Sequence, residues 1–415
     1  MKSQKKRRTH IYLTPCISRM HLRNSYRTGP VRSGRFAYLF ALVCSIAIIV
    51  SCSPHDTDCI ESDPNCNFLL TYFTFNDIFN TSGQFNILTD SGQTSCASGA
   101  SGDMVRMTCP QTIVGQDGDY PAAPNAFQLS VSDSGFTITD IVTGLVWERC
   151  SKGQTGTGCS GVASSTETQA QADSYCSTLT LAGRSWRLPS IRELTLFPDY
   201  EHANPAADDN DVNNYYPNQP GNASPDFFWS STAHQTSPGN YFALDMRDGV
   251  INSQVSGSGR FVRCVSGTQY PDPIYVNNNN GTVYDRRSNL LWSQCSMDNT
   301  GTGTLLDFSA GCSGTTGTRQ WVNAISDCEN LMLAGRTDWR LPGIRELNNI
   351  VNFNSGASPY IDGSFFPNTS GIEHWSSTTS PLNDSSGMAI NFGDGLTATG
   401  AKTLFHRVRC VATGP

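Results

Sequence analysis

Leu181-Ala-Gly-Arg-Ser-Trp186-Arg-Leu-Pro-Ser-Ile-Arg-Glu-Leu194 returns later in the same chain as Leu333-Ala-Gly-Arg-Thr-Asp-Trp339-Arg-Leu-Pro-Gly-Ile-Arg-Glu-Leu347. The repetition extends outward from this stretch. Upstream, Thr139 to Cys150, with Gly144-Leu-Val-Trp147, answers to Val283 to Cys295, with Asn289-Leu-Leu-Trp292. Downstream, Trp229-Ser-Ser-Thr232 answers to Trp375-Ser-Ser-Thr378, and Arg260-Phe-Val-Arg-Cys-Val265 to His406-Arg-Val-Arg-Cys-Val411. The spacing from Trp147 to Trp292 is 145 residues, and from Cys264 to Cys410 it is 146. Solenoid repeats recur every 20–50 residues or so, so each unit is domain-sized and the chain reads as a tandem of two globular domains.

Within each unit the pattern is mixed. Trp321, Ile325, Cys328 and Leu331/Met332 recur at helical spacing and predict a helix over Gln320–Leu333, with a weaker counterpart over Thr168–Leu179. A second short helix is expected after Trp-Arg-Leu-Pro, with Pro189 or Pro342 in its first turn. Leu145–Trp147, Phe227–Ser230, Tyr241–Met246 and Phe261–Val265 read as short strands. Arg247-Asp-Gly249 and Gly393-Asp-Gly395 are hairpin turn signals. Two helices among short strands predict an α+β domain.

The N-terminus carries an export signal. Residues 1–35 hold ten Lys and Arg and no acid, and Phe36–Val50 is apolar apart from Ser45. A basic segment, a 15-residue apolar run and a small residue before Cys52 form a secretory signal. The run falls short of the roughly 20 residues of a spanning helix. Ile49-Val50-Ser51-Cys52 reads as a lipobox, so residues 1–51 are expected to be removed and Cys52 acylated. All 35 acidic residues follow residue 51 with only 28 − 10 = 18 basic ones, giving the exported part a charge of 18 − 35 = −17. Such an acidic chain argues against nucleic acid as a partner.

Of fifteen Cys, removing Cys16, Cys44 and Cys52 leaves twelve. An even set in an exported chain implies disulfides. Cys59/Cys66 and Cys96/Cys109 are nearest neighbours and expected to pair. Each repeat holds four: Cys150, Cys159, Cys176, Cys264, and Cys295, Cys312, Cys328, Cys410. The expected pairs are 176–264 and 328–410, with 150–159 and 295–312 closing Gly/Ser/Thr-rich loops. Four Cys allow three connectivities, and the sequence leaves that choice open. The expected organisation is 1–51 signal peptide, 52–128 irregular stalk and lead-in, and 129–268 and 269–415 the two copies.

Trp-Arg-Leu-Pro-x-x-x-Glu-Leu, with its flanking Leu-x-Trp, Trp-Ser-Ser-Thr and Val-Arg-Cys-Val segments, resembles the Lcl C-terminal domain family. That module ends a bacterial collagen-like adhesin and recurs in bacterial surface proteins. The resemblance covers roughly residues 90–265 and 281–411. The second copy departs where Arg287-Ser-Asn-Leu replaces the Thr-Gly-Leu turn and where a counterpart of Gly115-Gln-Asp-Gly118 is missing. The family in turn looks like the C-type lectin superfold, which implies a helix cysteine bridged to the final strand. Sulfatase-modifying relatives carry a similar Arg-Leu-Pro…Glu motif.

Arg187 with Glu193, and Arg340 with Glu346, could grip a ligand; their repetition beside Trp186 and Trp339 favours an internal ion pair instead. Asp208, Asp209 and Asp211, with Asn213, form a weak calcium candidate through hard oxygen ligands, but they lack the Gly and final Glu of an EF-hand loop. Ser230/Ser231 and Ser376/Ser377 lie near His234 and His374, yet no Gly-x-Ser-x-Gly elbow is present and the two histidines are not equivalent. No catalytic residue, cofactor or zinc site is expected. The expectation is an envelope lipoprotein, held by its acyl chain at the outer membrane, that binds a glycan, matrix protein or other envelope component. The rivals are a structural envelope protein and an enzyme of the sulfatase-modifying kind.

Overall fold

In the computed structural model of the chain, the described residues are 88–98, 105–120, 128–163, 166–207, 215–220 and 226–414. The signal, Cys52, Cys59, Cys66, Asp208, Asp209, Asp211 and Asn213 lie outside them. The first elements are β1 (Ser95–Ala97) and β2 (Arg106–Thr108), an antiparallel pair.

The first copy contributes β3 (Leu129–Ser132), β4 (Thr137–Asp140), β5 (Val146–Glu148), the helix Gln169–Thr178, β6 (Trp186–Arg187), the one-turn helix Ile191–Leu194, β7 (Phe227–Ala233), β8 (Asn240–Asp245), β9 (Val250–Val255) and β10 (Val265–Ser266). One sheet runs β3-β4-β5-β10-β6 and the other is the meander β7-β8-β9. The second copy repeats this with β11 (Tyr275–Asn277), β12 (Thr282–Asp285), β13 (Leu290–Ser293), helices Trp321–Glu329 and Ile344–Asn349, β14 (Glu373–Thr379), β15 (Ser386–Asn391), β16 (Leu396–Ala401) and β17 (Val411–Thr413). Its sheets run β11-β12-β13-β17 and β14-β15-β16. Small antiparallel sheets with a few short helices make the α+β architecture expected.

Local chemistry accounts for the elements. The first long helix starts at Thr168, whose hydroxyl accepts from Gln171 N–H while the Gln171 side chain reaches back, a capping box. Its buried face is Ala172 and Cys176; the second copy buries Trp321, Ala324, Ile325 and Cys328. The latter helix stops at Glu329, short of the predicted Leu333, where Asn330 caps it and its side-chain amide donates back to the Ser326 carbonyl at 2.8 Å. The short helices also begin later than expected. Their N-caps are Ser190 and Gly343, so Pro189 and Pro342 stand just before the cap instead of in the first turn. At both meander turns, Gly249 and Gly395 adopt φ 77°. A Cβ on Gly249 would stand 2.5 Å from the Tyr200 ring, and one on Gly395 3.0 Å from that of Tyr360. Glycine there satisfies both the backbone and the packing.

Disulfides join Cys96–Cys109, Cys150–Cys159, Cys176–Cys264, Cys295–Cys312 and Cys328–Cys410. The two long-range bonds tie each helix to the chain entering the last strand.

Two expectations are corrected. The copies are not separately cored: Leu194, Tyr200, Phe242, Leu244 and Ile251 belong to one buried cluster with Ile344, Leu347, Phe353, Tyr360 and Ile390. Packing is reciprocal. Arg192 donates to the carbonyls of Asn349 and Val351, and Arg345 donates to that of Pro198. Val351 and Pro198 each lie six residues past their own copy's arginine. Strands β9 and β16, equivalent in the two meanders, also pack together. This is the pattern of an isologous two-fold interface, in which one surface meets its own counterpart, here within one chain. Loop 352–372 is drawn into this core: Phe353, Tyr360, Ile361 and Phe366 are buried.

The described part of the 52–128 segment is likewise no free stalk. Ala97 and Ile113 join the core of the second copy. Gln93 exchanges hydrogen bonds with the backbone of Thr379, and Arg106 pairs with Asp384 at 2.8 Å. Asp117 of the Gly-Gln-Asp-Gly run accepts from Thr378 Oγ1 and lies over Gly343, where a Cβ would meet its Oδ1 at 2.7 Å. That run was expected to lead into the first copy; it instead completes the second, whose Gly343 leaves room for it where the first copy carries Ser190.

Candidate binding site

The repeated Arg–Glu pairs come first. Arg187 meets Glu193 with Nη1–Oε2 at 2.6 Å and Nη2–Oε1 at 2.5 Å. Arg340 meets Glu346 twice at 2.6 Å. Glu193 is fully buried and also accepts the N–H groups of Ser190 and Tyr270 at 2.8 and 2.9 Å. Glu346 accepts that of Gly343 at 2.9 Å. A carboxylate holding a bidentate guanidinium and capping a helix N-terminus has its acceptor sites filled. The flanking Trp186 and Trp339 are buried and donate through Nε1 to the carbonyls of Leu181 and Leu333. The motif is internal architecture.

The arginine before the last cysteine acts similarly. Arg263 donates to the carbonyls of Glu148 and Arg149 and to Ser151 Oγ and Gln219 Oε1, and lies against the adjoining Phe197 and Tyr216 rings at 5.1 and 4.9 Å. Arg409 donates to the carbonyls of Ser293 and Gln294, to Ser296 Oγ and to Thr369 Oγ1. Burial pushes the two guanidiniums down to about 10 and about 9. Each pins the loop after its tryptophan strand, and the adjoining disulfide, Cys150–Cys159 or Cys295–Cys312, closes it.

The serines of Trp-Ser-Ser-Thr serve the backbone. Ser230 Oγ donates to the carbonyl of Phe242 at 2.6 Å and Ser376 Oγ to that of Met388 at 2.8 Å. His374 is buried, its imidazole pushed down to about 3 by desolvation, with Nδ1 against the Ile372 carbonyl at 2.9 Å. His234 contacts Ser253 Oγ at 2.9 Å. Among the described residues, neither histidine hydrogen-bonds to a serine of the motif. Among the described residues one trio of possible metal ligands lies together, Cys96, Cys109 and Asp119, and its two sulfurs are bonded to each other.

A cleft of about 680 Å³ opens in the first copy. Its walls come from the start of the helix Gln169–Thr178, the β7–β8 turn and the end of β9, and include Thr168, Gln169, His234, Asn240, Tyr241 and Ser256. No Asp, Glu, Lys or Arg lines it. Burial also lowers the pKa of His234, so the lining is uncharged at neutral pH.

Across the known protein families, the description "Lcl C-terminal domain" matches residues 136–266 and again 281–412. The chain belongs to the Lcl C-terminal domain family. No curated protein matches it. Both matches fall on the repeats found in the sequence, although the first begins at residue 136 and not near 90. The residues between 88 and 120 thus lie outside the first Lcl C-terminal domain while packing on the second.

The cleft went unnoticed in the sequence. Its signal is a mismatch between the two Lcl C-terminal domains: Gln169 and Tyr241 stand in the first where Trp321 and Gly387 stand in the second.

Proposed function

We propose that this protein is a lipid-anchored component of a bacterial cell envelope, acylated at Cys52 and held at the outer membrane, whose paired domains recognise a glycan, matrix protein or envelope partner without catalysis. The observation that carries the reading is the double pinning of surface loops. In each copy a buried arginine and a disulfide hold the loop after the tryptophan strand. Loops held by a rigid scaffold recur at binding surfaces, because ordering them in advance lowers the entropy lost on association. The long disulfide from helix to last strand supports reading each copy as C-type-lectin-like. A fold by itself assigns no ligand.

The test is a binding screen of the full chain, kept in detergent, on arrays of glycans and matrix proteins, with calcium, with chelator and after reduction. Saturable binding that reduction abolishes is the expected outcome, and calcium dependence would bring in Asp208–Asp211. Silence across the array would overturn the recognition reading. Acyl labelling that persists in a Cys52→Ala variant would overturn the anchor.

A further inference from the structure

The two copies differ most in chemistry at one equivalent place. Gln169 N–H donates to the Ser256 carbonyl at 3.0 Å, and Trp321 N–H to that of Lys402 at 3.1 Å. The strand ladders pair Ala233 with Tyr241 and Thr379 with Gly387. Residue by residue, Gln169, Tyr241 and Ser256 stand where the second copy has Trp321, Gly387 and Lys402.

In the second copy the place is solid. The Trp321 indole is fully buried and donates to the Ser376 carbonyl at 2.8 Å. It fits because residue 387 is glycine: a Cβ there would stand 2.9 Å from its Cδ1. The Lys402 ammonium lies 3.8 Å from a Trp321 ring centroid and donates to Thr379 Oγ1 at 2.8 Å. Gln93 seals the edge through the Thr379 backbone.

In the first copy the same place is the open cleft of about 680 Å³. The Gln169 carboxamide and the hydroxyls of Tyr241 and Ser256 line it, and none of the hydrogen bonds within the described structure uses them. The fold does not need the opening, since the second copy fills it. A space of this size lies within the range of small-molecule sites, roughly 300–1,000 Å³. Its unpaired amide and hydroxyl groups both donate and accept, and the half-buried Tyr241 adds an aromatic surface. The absence of charged groups from the lining, on a chain of net charge −7, selects against ionic ligands, which would lose hydration without gaining a counter-charge.

We propose that this cleft binds a neutral saccharide, its hydroxyls meeting Gln169, Ser256 and the Tyr241 hydroxyl, with the Tyr241 ring against an apolar sugar face. The proposal rests on the recognition reading above and narrows it to one site and one ligand class. The test uses the full chain in detergent and saturation-transfer NMR with maltotriose, chitotriose, mannotriose and galactotriose, and a sulfated trisaccharide as the charged control. At least one neutral probe is expected to bind and the sulfated one not to. Gln169→Trp combined with Tyr241→Gly installs the second copy's filling and should abolish the signal. Gln169→Ala with Ser256→Ala, which removes only groups without a partner in the fold, should weaken it roughly tenfold or more at an unchanged thermal midpoint. No binding of any neutral probe, or equal binding by the alanine variant, would overturn the proposal. If the array in the broader screen still lights up with a matrix protein or charged glycan, the recognition reading survives and the cleft assignment alone falls; a silent array ends both.

Discussion

Arg192 and Arg345 occupy the same position in the two copies, yet their surroundings differ. Arg192 reaches across to the carbonyls of Asn349 and Val351, lies over the Phe353 ring at 5.6 Å, and turns its remaining edge to Asp272, an exposed carboxylate 3.3 Å away. Arg345 makes the reciprocal reach to Pro198 but is fully enclosed, donating also to Thr89 Oγ1 and the Asp90 carbonyl. Burial lowers the Arg345 pKa and, with Asp117 nearby, lifts Asp90 to about 9. The core is thus nearly two-fold, with one end wrapped by residues 88–93 and the other, also buried, edged by the exposed Asp272. Identical motif residues acquire different energetic weight from what covers them.

The largest effect should be one that ignores this asymmetry. Cys176–Cys264 and Cys328–Cys410 span 88 and 82 residues, for which the chain-entropy relation gives about 4.5 kcal/mol each. Cys150–Cys159 spans 9, for which it gives about 2.7 kcal/mol. Paired Cys→Ser replacements followed by denaturant unfolding should therefore give similar losses for the two long bonds and a smaller one for the short bond. Unequal long-bond losses would break the equivalence of the halves.

The arginines come next. Arg345→Ala strands several buried acceptors and should cost about 3–5 kcal/mol, the range for removing one partner of a buried charged network. Arg192→Ala should cost less, about 2 kcal/mol, because water can reach its site. Equal losses in unfolding free energy would show that residues 88–93 contribute no enclosure.

Lys402, the counterpart of Ser256, sharpens the contrast through pH. Burial pushes its ammonium down from 10.5 to about 7. Below about pH 7 both the folded and unfolded chains carry the proton, and the cost of burying the charge is present in full. Between about 7 and 10.5 the unfolded chain holds a proton that the folded chain lacks, so stability rises with pH across that window. The thermal midpoint of the native chain should rise from pH 7 to 10 relative to Lys402→Met. Parallel midpoints in the two proteins would show the ammonium to be well solvated.

The smallest effect belongs to Tyr360, whose hydroxyl is 2.8 Å from Thr236 Oγ1 across the two copies. Tyr360→Phe keeps the ring but removes the hydroxyl's contacts with both the Thr236 side chain and its N–H, and in this part-buried place should cost about 1–1.5 kcal/mol, readable from a small shift in the denaturation midpoint.

Much of the framework was legible in the amino-acid order. Cys176 and Cys328 fall on the buried helix face, the Arg–Glu pairs are internal, and the repeat marks both domains. What escaped has a common cause. Ile344 and Leu347 look the same in sequence whether they cover their own sheet or the neighbour's, so the shared core was hidden. Residues 88–120 are rich in Ser, Gly and Asp and suggest a solvated stalk; only the place kept free by Gly343 reveals where Asp117 goes. The cleft was hidden because it depends on a pair of distant positions, 169 and 241, each unremarkable alone.

The Cys96–Cys109 bond also shapes how the molecule would carry mechanical load. Tension entering at residue 88 first meets the hydrogen bonds of Thr89 and Asp90 with Arg345, then those of Ser91 and Gln93 with Tyr200 and Thr379, crosses from Cys96 to Cys109 through sulfur, and next reaches Asp117 at Thr378. The Arg106–Asp384 pair lies on the branch that this bridge bypasses. A pull on this chain would be shared by both copies ahead of the sulfur bridge, through Tyr200 and Glu201 of the first and Arg345 and Thr379 of the second, and would pass to the second copy alone at Thr378.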